Sequence, residues 1–486
     1  MKRRVRVADL FCGAGGSSTG AHKAFTELGL EMDLVAVNHW SVAIDTHSRN
    51  HPHARHLCVD VYKTKPREAV LGGKLDLLMA SPTCTFHSRA RGGRPISWDQ
   101  RYGRMTPTQV VRWLTDLDVK CLLVENVPEF VNWSPVNRLT GKPVCKKRGM
   151  YFRAWVRRIV RLGYWAEWRI LNAADYGDVT TRKRFFLIAR KDRKPIRWPE
   201  PSHSRHGSHD LFGGGQQRWR AAREIIDWSL LGRSIFKREK PLSLKTLARI
   251  YAGAMRFGWP ESFLVVLRRH MDAQSLDAPL PTICAGGNHV GLAQSLILPQ
   301  GGGGAARSVD KPLATITTDG AHALVAPYNR TANARPVSQP LPTQTTRDRF
   351  GLVVPVTHQD ASNRSRSLEQ PLPSITGAHR GELAFIVAAF GERPTQAPRV
   401  HSVDAPAPTI CAKGRVQFVE GARQEAQIDI LFRMLQPHEL AAAMGFCDAE
   451  TSYEFCGTKE EVTRQIGNAV PVRTASALVK VIFGDK

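Results

Sequence analysis

The residues of this chain whose types and settings could do chemistry lie in a few short stretches. Cys84 sits in Ala80-Ser81-Pro82-Thr83-Cys84-Thr85-Phe86-His87-Ser88, directly after the apolar run Leu75-Asp76-Leu77-Leu78-Met79. A structural cysteine belongs inside such a run, whereas a thiol in the loop at its end can be reached. Glu125 closes a second buried-strand pattern, Cys121-Leu122-Leu123-Val124-Glu125-Asn126-Val127. An acid there is costly unless it has a partner or a task. Asp175-Tyr176-Gly177-Asp178-Val179-Thr180-Thr181-Arg182-Lys183-Arg184 supplies two arginines just before the apolar Phe185-Phe186-Leu187-Ile188-Ala189. On their own, these arginines could equally flank a surface strand and pair with phosphate or carboxylates. Near the N-terminus, the strand pattern Val5-Arg6-Val7-Ala8 runs into Asp9-Leu10-Phe11-Cys12-Gly13-Ala14-Gly15-Gly16. Such glycines either make a tight turn or let the backbone approach a ligand at the carboxyl edge of a parallel sheet. A last stretch, Gln465-Ile466-Gly467-Asn468-Ala469-Val470-Pro471, lies close to the C-terminus.

The elements that must position these groups alternate up to about residue 190. Val5 to Ala8, Leu34 to Val37, Leu75 to Met79, Cys121 to Val124 and Phe185 to Ala189 read as strands, with helical patterns such as Gln109 to Leu117 and Phe152 to Leu162 between them. Alternation of this kind predicts an α/β fold with a parallel, doubly wound sheet and ligands at its carboxyl edge. Residues 195 to about 260 carry two helical patterns, Trp219 to Ile226 and Leu244 to Phe257.

Beyond residue 260 the texture changes to short apolar strands among Pro, Gly, Thr and Arg, and an internal repeat appears. Pro279, Pro312, Pro340, Pro371 and Pro406 are each preceded three positions earlier by Leu276, Val309, Val337, Leu368 and Val403, and followed three later by Thr282, Thr315, Thr343, Ser374 and Thr409. The period is about 30 residues, and each copy continues into its own strand, which a disordered proline-rich linker would not do.

A formal net charge of +26 over 486 residues calls for a polyanionic partner. An acidic membrane surface or a merely solvated basic face are the competing readings. No apolar run reads as a membrane span, and Met1-Lys2-Arg3-Arg4 leads into a strand, so an intracellular protein is expected. Nine cysteines without a Cys-x-x-Cys pair argue against a disulfide framework and a ribbon-type zinc site. His47, His51, His53 and His56 crowd together. They read either as metal ligands on one helix face or, as preferred here with no metal expected, as decoration of the end of a helix over Val42 to Arg49.

In their order along the chain these motifs resemble the DNA cytosine-carbon-5 methyltransferases of bacteria and phages, over residues 1 to about 190 and again over about 430 to 486. Arg433-Met434-Leu435-Gln436-Pro437-His438-Glu439-Leu440 with Met444-Gly445-Phe446 adds a further matching block. The resemblance implies a Rossmann-like S-adenosylmethionine-dependent domain at 1–194, a helical basic connection at 195–260, a mainly β, repeat-containing target-recognition domain at 261–430, and a C-terminal segment at 431–486 that returns to the catalytic domain. It implies Cys84 as the nucleophile on carbon-6 of a flipped cytosine, Glu125 at ring nitrogen 3, and Arg182 and Arg184 at the carbonyl oxygen and the active-site loop. For the cofactor it implies Phe11, Gly13, Gly15 and Gly16, then His39 and Trp40, Asp60 at the adenine amine, and Asn468 at the carboxylate. The expected partner is double-stranded DNA. The protein is expected to be a cytoplasmic monomer with no membrane contact, with a cognate restriction endonuclease as an open partner.

Several positions depart from the family pattern. His39 stands where an acid usually holds the ribose hydroxyls, Thr83 and Thr85 replace the Pro and Gln around the nucleophile, and Thr180 replaces the Gln of the arginine block. An RNA-methylating relative and a catalytically inactive DNA-binding relative are the alternatives. Nine residues beyond the five repeat prolines stand Asn288, Ala321, Arg349, Arg380 and Arg415, with His289 and His322 next in the first two copies. Asn and Arg suit base-edge contacts, so these positions are the expected sequence readers, with phosphate contact as the plainer role.

Overall fold

The computed structural model describes residues 3–83, 87, 95–208, 215–236, 238–257, 262–268, 271–297, 428–447 and 452–484, and within 298–427 the backbone of short strands. The chain forms two compact units, Met1–Ser295 with Ile430–Lys486, and Leu296–Asp429.

The larger unit is built on seven strands: β1 (Arg4–Leu10), β2 (Glu31–Asn38), β3 (Arg55–Cys58), β4 (Lys74–Ala80), β5 (Asp118–Asn126), β6 (Trp165–Asn172) and β7 (Lys183–Arg190), in the order 3-2-1-4-5-7-6. The pairings from β3 to β5 are parallel, and β7 runs antiparallel to both β5 and β6. The central strands are mainly apolar because both faces are covered: Val5, Leu77, Leu78, Leu122, Phe185 and Leu187 are fully buried. Helix α1 (Gly16–Glu27) follows β1 and α2 (Ser41–Asn50) follows β2. Pro107 opens a later helix, Pro107–Asp116, at the one turn where its missing N–H costs nothing, and Val110, Trp113 and Leu114 form the buried stripe. Consecutive strands leave β1 in one direction and β4 in the other, so the carboxyl ends of β1 and β4 flank a switch point, the crevice where doubly wound sheets take ligands.

Three sequence expectations need correction. Strand β6 was not anticipated, and it makes β7 antiparallel. Its residues carry no continuous apolar run, and Trp165, Trp168 and Ile170 stand exposed on this edge strand. Trp219 to Ile226 is not a helix but a single 3-10 turn, Ala222–Ile225. The N–H groups of Ala222 and Arg223 are taken by Ala278 O and Leu276 O at 3.1 and 3.0 Å, so a tertiary pairing displaces the helical one. Lys459–Phe483 does have the length and composition of a membrane span, but it breaks at Ala469-Val470-Pro471 and two-thirds of its most apolar window, 67%, lies in the protein's own core. Helix Leu244–Phe257 has the bounds expected.

The repeat has a recognisable structural form. In the larger unit Phe263–Val266 pairs with Ala273–Ser275 on one side and Val290–Ile297 on the other, both antiparallel. In the smaller unit the same order recurs twice: Leu324–Pro327 lies between Arg335–Pro336 and Phe350–Val353, and Leu383–Ala389 between Val400–Ser402 and Arg415–Gly421. Each short strand directly precedes the Leu or Val that opens a repeat copy. The first copy therefore belongs to the larger unit, where Leu276, Leu280 and Ile283 share a core with Leu435, Met444 and Ile466.

The C-terminal helices Lys459–Asn468 and Val472–Phe483 return to the first strand. A Cβ on Gly16 would strike Val470 O, and one on Gly20 would lie 2.5 Å from Ala475 Cβ and 2.7 Å from Val472 O, so only glycine permits this approach. Val5, Phe25, Leu478, Val479 and Ile482 then bury together, each worth about 1.5–3 kcal/mol. Pro471 offers no capping side chain, and Asp178 supplies one from the arginine block: Asp178 Oδ2 accepts from Thr474 N at 3.1 Å and Thr474 Oγ1 at 2.8 Å, and Oδ1 accepts from Arg473 N at 3.3 Å.

Burial pushes Asp178 up to about 7 against these donors. The folded state therefore holds its proton more tightly than the unfolded chain does, and this stabilising contribution, complete below about pH 4, is lost as pH rises through 7. Asp178→Asn should make the fall in melting temperature between pH 5 and 8 shallower, as followed by circular dichroism. A slope equal to that of the wild type would show that Asp178 does not titrate in this range.

Candidate active site

The carboxyl ends of β1, β2 and β3 carry the residues assigned to a cofactor. After β1 the backbone turns sharply: Phe11 has φ +59°, Gly13 +55° and Gly15 +90°. A left-handed conformation at phenylalanine costs on the order of 1–2 kcal/mol, and such strain is characteristic of ligand-binding turns. The turn is closed by Gly15 N to Cys12 O at 3.0 Å and feeds α1 through Thr19 N to Gly15 O at 2.8 Å. A Cβ added to Gly13 would meet nothing within 4 Å, whereas one on Gly15 would press on Tyr453 Oη at 2.6 Å, His47 at 3.0 Å and His51 at 3.3 Å. The loop is thus open on one side and backed tightly on the other, a cradle that fits an extended ligand. Past β2, His39 is exposed and Trp40 lies half-buried under the Arg464 guanidinium, 4.8 Å from the ring centre. Past β3, Asp60 Oδ1 accepts from Tyr62 N at 2.9 Å. Asn468 ends its helix with its side chain exposed.

The residues assigned to the reaction belong to the ends of β4, β5 and β7 and the loop after β4. Ser81 N donates to Leu10 O at 3.0 Å, and Asn126 Nδ2 donates to Pro82 O at 3.0 Å, which pins the segment entering the Cys84 loop to β1 and β5. Cys84 itself lies outside the described residues. Three positions beyond it, His87 lies partly buried and edge-on against Phe130 and Trp133, with ring centres 5.3 and 5.9 Å away. Burial first, then Arg104, lowers its pKa to about 3, so His87 is neutral. Glu125 is 7% exposed at the end of β5 and forms an ion pair with Arg184, Nε to Oε1 at 3.0 Å. Burial raises the Glu125 pKa, while Arg184 and then Arg182 pull it down. The outcome is a carboxyl that can hold a proton more readily than an exposed one and has a cation beside it when it does not.

The two arginines of this block have different tasks. Arg184 faces Glu125. Arg182, 2% exposed, donates from Nη1 to Ile283 O at 2.8 Å and from Nη2 to Gly467 O and Ala469 O, both at 3.0 Å. Its terminal nitrogens donate to the chain's own carbonyls, a joining role beyond the cytosine contact expected for this residue. Beside it Thr181 N donates to Leu280 O at 2.8 Å and Leu280 N to Val179 O at 2.9 Å, so the arginine block, the first repeat copy and the C-terminal segment meet at one point.

Of the positions assigned to sequence reading, Asn288 is turned inward. Its Oδ1 accepts from Val290 N at 3.1 Å and its Nδ2 donates to Leu435 O, so both ends of the amide hold backbone rather than face a partner. His289 is half-buried, with its pKa lowered by burial and then by Arg268. Arg415 opens the strand Arg415–Gly421. The Arg415 side chain, His322, Arg349 and Arg380 lie outside the described residues. Sequence reasoning missed Asn126, Asp178 and Tyr453. Tyr453 Oη donates to Ala14 O in the glycine loop from a stretch 439 residues away, a pairing that no local pattern carries. Asn126, next to the acid at a strand end, was open to recognition.

Comparisons with known proteins show the family. The family model described as C-5 cytosine-specific DNA methylase matches residues 5–222 and 342–484. Among curated proteins, the type II methyltransferase M.Sau3AI of Staphylococcus aureus is 28% identical over 194 residues, covering 39% of this chain and 44% of that protein. M.AgeI of Thalassovita gelatinovora is 30% identical over 206 residues, 41% of this chain and 42% of its own length. M.AquIA of Picosynechococcus is 26% identical over 237 residues, 46% and 87% respectively. The matched part thus spans less than half of the first two of these relatives. Of solved structures, the Entamoeba histolytica methyltransferase EhMeth aligns over 100% of this chain and 99% of its own with TM-score 0.49 and 11% identity, and Schizosaccharomyces pombe Dnmt2 over 99% of each with TM-score 0.47 and 13% identity.

Arg182→Lys keeps the charge but cannot span three carbonyls, so it should destabilise the larger unit by about 3 kcal/mol, the loss expected for two charge-assisted hydrogen bonds. The midpoint of urea unfolding, read by tryptophan fluorescence, measures this. A midpoint equal to the wild type's would mean that the three segments are held together by packing alone.

Proposed function

Because the chain belongs to the C-5 cytosine-specific DNA methylase family, we propose that it transfers a methyl group to carbon-5 of cytosine within a particular sequence of double-stranded DNA. The observation that carries this reading is the buried Glu125–Arg184 pair at the end of β5, next to the anchored segment that leads into Cys84. Carbon-5 of cytosine is a weak nucleophile until the ring's conjugation is broken. Cys84 Sγ adds to carbon-6, and the electron pair released into the ring is met at nitrogen 3 by the proton of Glu125. Arg184 compensates the carboxylate left behind and would donate to the carbonyl oxygen. Carbon-5, now an enamine carbon, would take the methyl group; loss of its remaining proton to a base then re-forms the double bond and expels Cys84 as thiolate, and nitrogen 3 returns its proton to Glu125.

The cofactor proposed is S-adenosylmethionine, which when bound supplies the methyl group as a sulfonium. Phe11 and Trp40 offer aromatic surface to its adenine, Asp60 and His39 acceptors to its amine and ribose, and Gly13, Gly15 and Gly16 backbone to its amino-acid end. The target base must leave the duplex to reach such a site. The repeat region is proposed as the sequence reader. Its support is a fixed three-strand order with side chains that vary at one repeat position, as a reader requires, together with a net charge of +26 suited to phosphate.

A duplex with 5-fluorocytosine at the target should trap the protein in a complex that survives denaturant gels, because fluorine does not leave as a proton does. Trapping of Cys84→Ala to the same extent would overturn the assignment of the nucleophile. For the reader, Arg380→Ala or Arg415→Ala should cost about 1–3 kcal/mol at one base position and relax the choice there, measured by methylation of a randomised duplex library. A uniform loss over all sequences with a shallower salt dependence would make these arginines phosphate contacts.

A further inference from the structure

Behind the glycine loop the chain buries a row of polar groups that the reaction above does not use. Ser18 Oγ donates to Asp9 Oδ2 at 2.7 Å, His47 Nε2 lies 3.0 Å from the same Oγ, and His47 Nδ1 lies 2.8 Å from His56 Nε2. Asp9, Ser18 and His47 have no exposed surface, whereas His56 is partly exposed, so the row leads from solvent to an enclosed carboxyl. This corrects the reading of the histidines as surface decoration: His47 and His51 face inward onto α1, with His51 Nε2 3.0 Å from Thr19 Oγ1.

The donors fix the direction of the row. A hydroxyl that donates to one neighbour accepts from the other, so with Asp9 ionised the protons sit on Ser18 Oγ, His47 Nε2 and His56 Nε2. When His56 takes a proton from water at Nδ1, it can release Nε2–H to His47. His47 then passes its Nε2 proton to Ser18, and Ser18 passes its own to Asp9. Every bond in the row reverses, both imidazoles end neutral, and one proton has moved from water to Asp9.

The row also carries the loop. Gly15 rests on His47 and His51, Ser18 and Thr19 form the turn of α1 that the loop feeds, and Tyr453 holds Ala14 from the other side. Asp9 Oδ1 is enclosed and has no hydrogen-bond partner among the described residues. We propose that Asp9, Ser18, His47 and His56 are a proton-linked support of the cofactor loop, in which Ser18 and His47 are positioning residues and Asp9 gains or loses the proton. This rests on the reading of the loop as a site for S-adenosylmethionine.

Burial pushes Asp9 up to about 7, with the Ser18 hydrogen bond pulling the other way. Burial first of all lowers His47 well below the ordinary histidine range, His51 to about 4, and His56 by a smaller step. Around Asp9 the other titratable groups are Cys12 and Tyr453, both raised by burial, with Cys58 facing Cys12. Around the imidazoles they are His22, lowered by burial, and His53 beside it. Asp9 is thus the group whose charge changes near neutral pH.

S-adenosylmethionine carries a net positive charge, which an ionised Asp9 favours, so its calorimetric affinity should rise about fivefold from pH 6 to 8. S-adenosylhomocysteine, without the sulfonium, should show no such gain. Asp9→Asn should abolish the rise, and Ser18→Ala, which removes the bond that holds Asp9 down, should move its inflection to higher pH. Infrared spectroscopy of the protein without cofactor reads the same event: a protonated-carboxyl stretch present at pH 6, fading toward pH 8, missing in Asp9→Asn and displaced in Ser18→Ala. Cofactor affinity that is flat with pH in the wild type, or an unmoved infrared inflection in Ser18→Ala, would overturn the proposal. No binding of S-adenosylmethionine at any pH would instead overturn the functional reading, and the infrared titration would still decide whether Asp9 takes up the proton. Should Asp9→Asn fail to fold, the wild type and Ser18→Ala alone decide the matter.

Discussion

One buried guanidinium holds together parts of the chain that are nearly 300 positions apart. Arg182 enters from the start of β7 and donates to carbonyls of the first repeat copy and of the C-terminal turn. Carbonyl groups at the ends of helices and strands have spare acceptor capacity, and a planar group with five donors is the side chain that can collect several of them. A charge without solvent is tolerable only when it is surrounded in this way, and the Glu125 carboxylate lies close enough to add to the compensation. Asp178 repeats the logic four residues earlier by capping the last helix. The arginine block therefore works as a joint: with the apolar packing of the last helix, it fixes the C-terminal segment behind the glycine loop.

The site follows from the same enclosure. At the end of β5 the sheet supplies a position where a carboxyl is desolvated but not abandoned, with Arg184 at 3.0 Å. Taking water away raises the cost of the charged carboxylate and strengthens its attraction to the arginine, so the proton affinity is set by a balance between two large effects. The cofactor side is organised differently, by backbone. Its strained turn at Phe11 is held by the hydrogen bonds of α1, by Tyr453 and by the close approach of Val470 to Gly16.

Much of this was legible in the sequence, for definite reasons. Strands β1, β4, β5 and β7 are largely buried on both faces and therefore appear as mainly apolar runs, and the glycines, Glu125 and the arginine pair stand at their ends, where function in such sheets is located. Strand β6 was hidden because an edge strand needs no apolar run, and with it the reversed direction of β7. The helix expected at Trp219 to Ile226 has adequate local propensity but loses its N–H groups to Leu276 and Ala278, a tertiary choice. His47 and His51 stand four apart near a helix end, a pattern common to a solvated face and a buried one. The difference between Arg182 and Arg184 lies beyond any local pattern, since it depends on which carbonyls residues 283, 467 and 469 bring near.

The central claim is that this enclosure serves methyl transfer to carbon-5 of cytosine in DNA. The most direct measurement offers the protein S-adenosylmethionine with a trideuterated methyl group together with duplex DNA and transfer RNA, then digests both polymers to nucleosides for mass spectrometry. The account predicts the heavy methyl on carbon-5 of deoxycytidine. Label found on the exocyclic nitrogen of deoxycytidine, or on cytidine from the RNA alone, would contradict it.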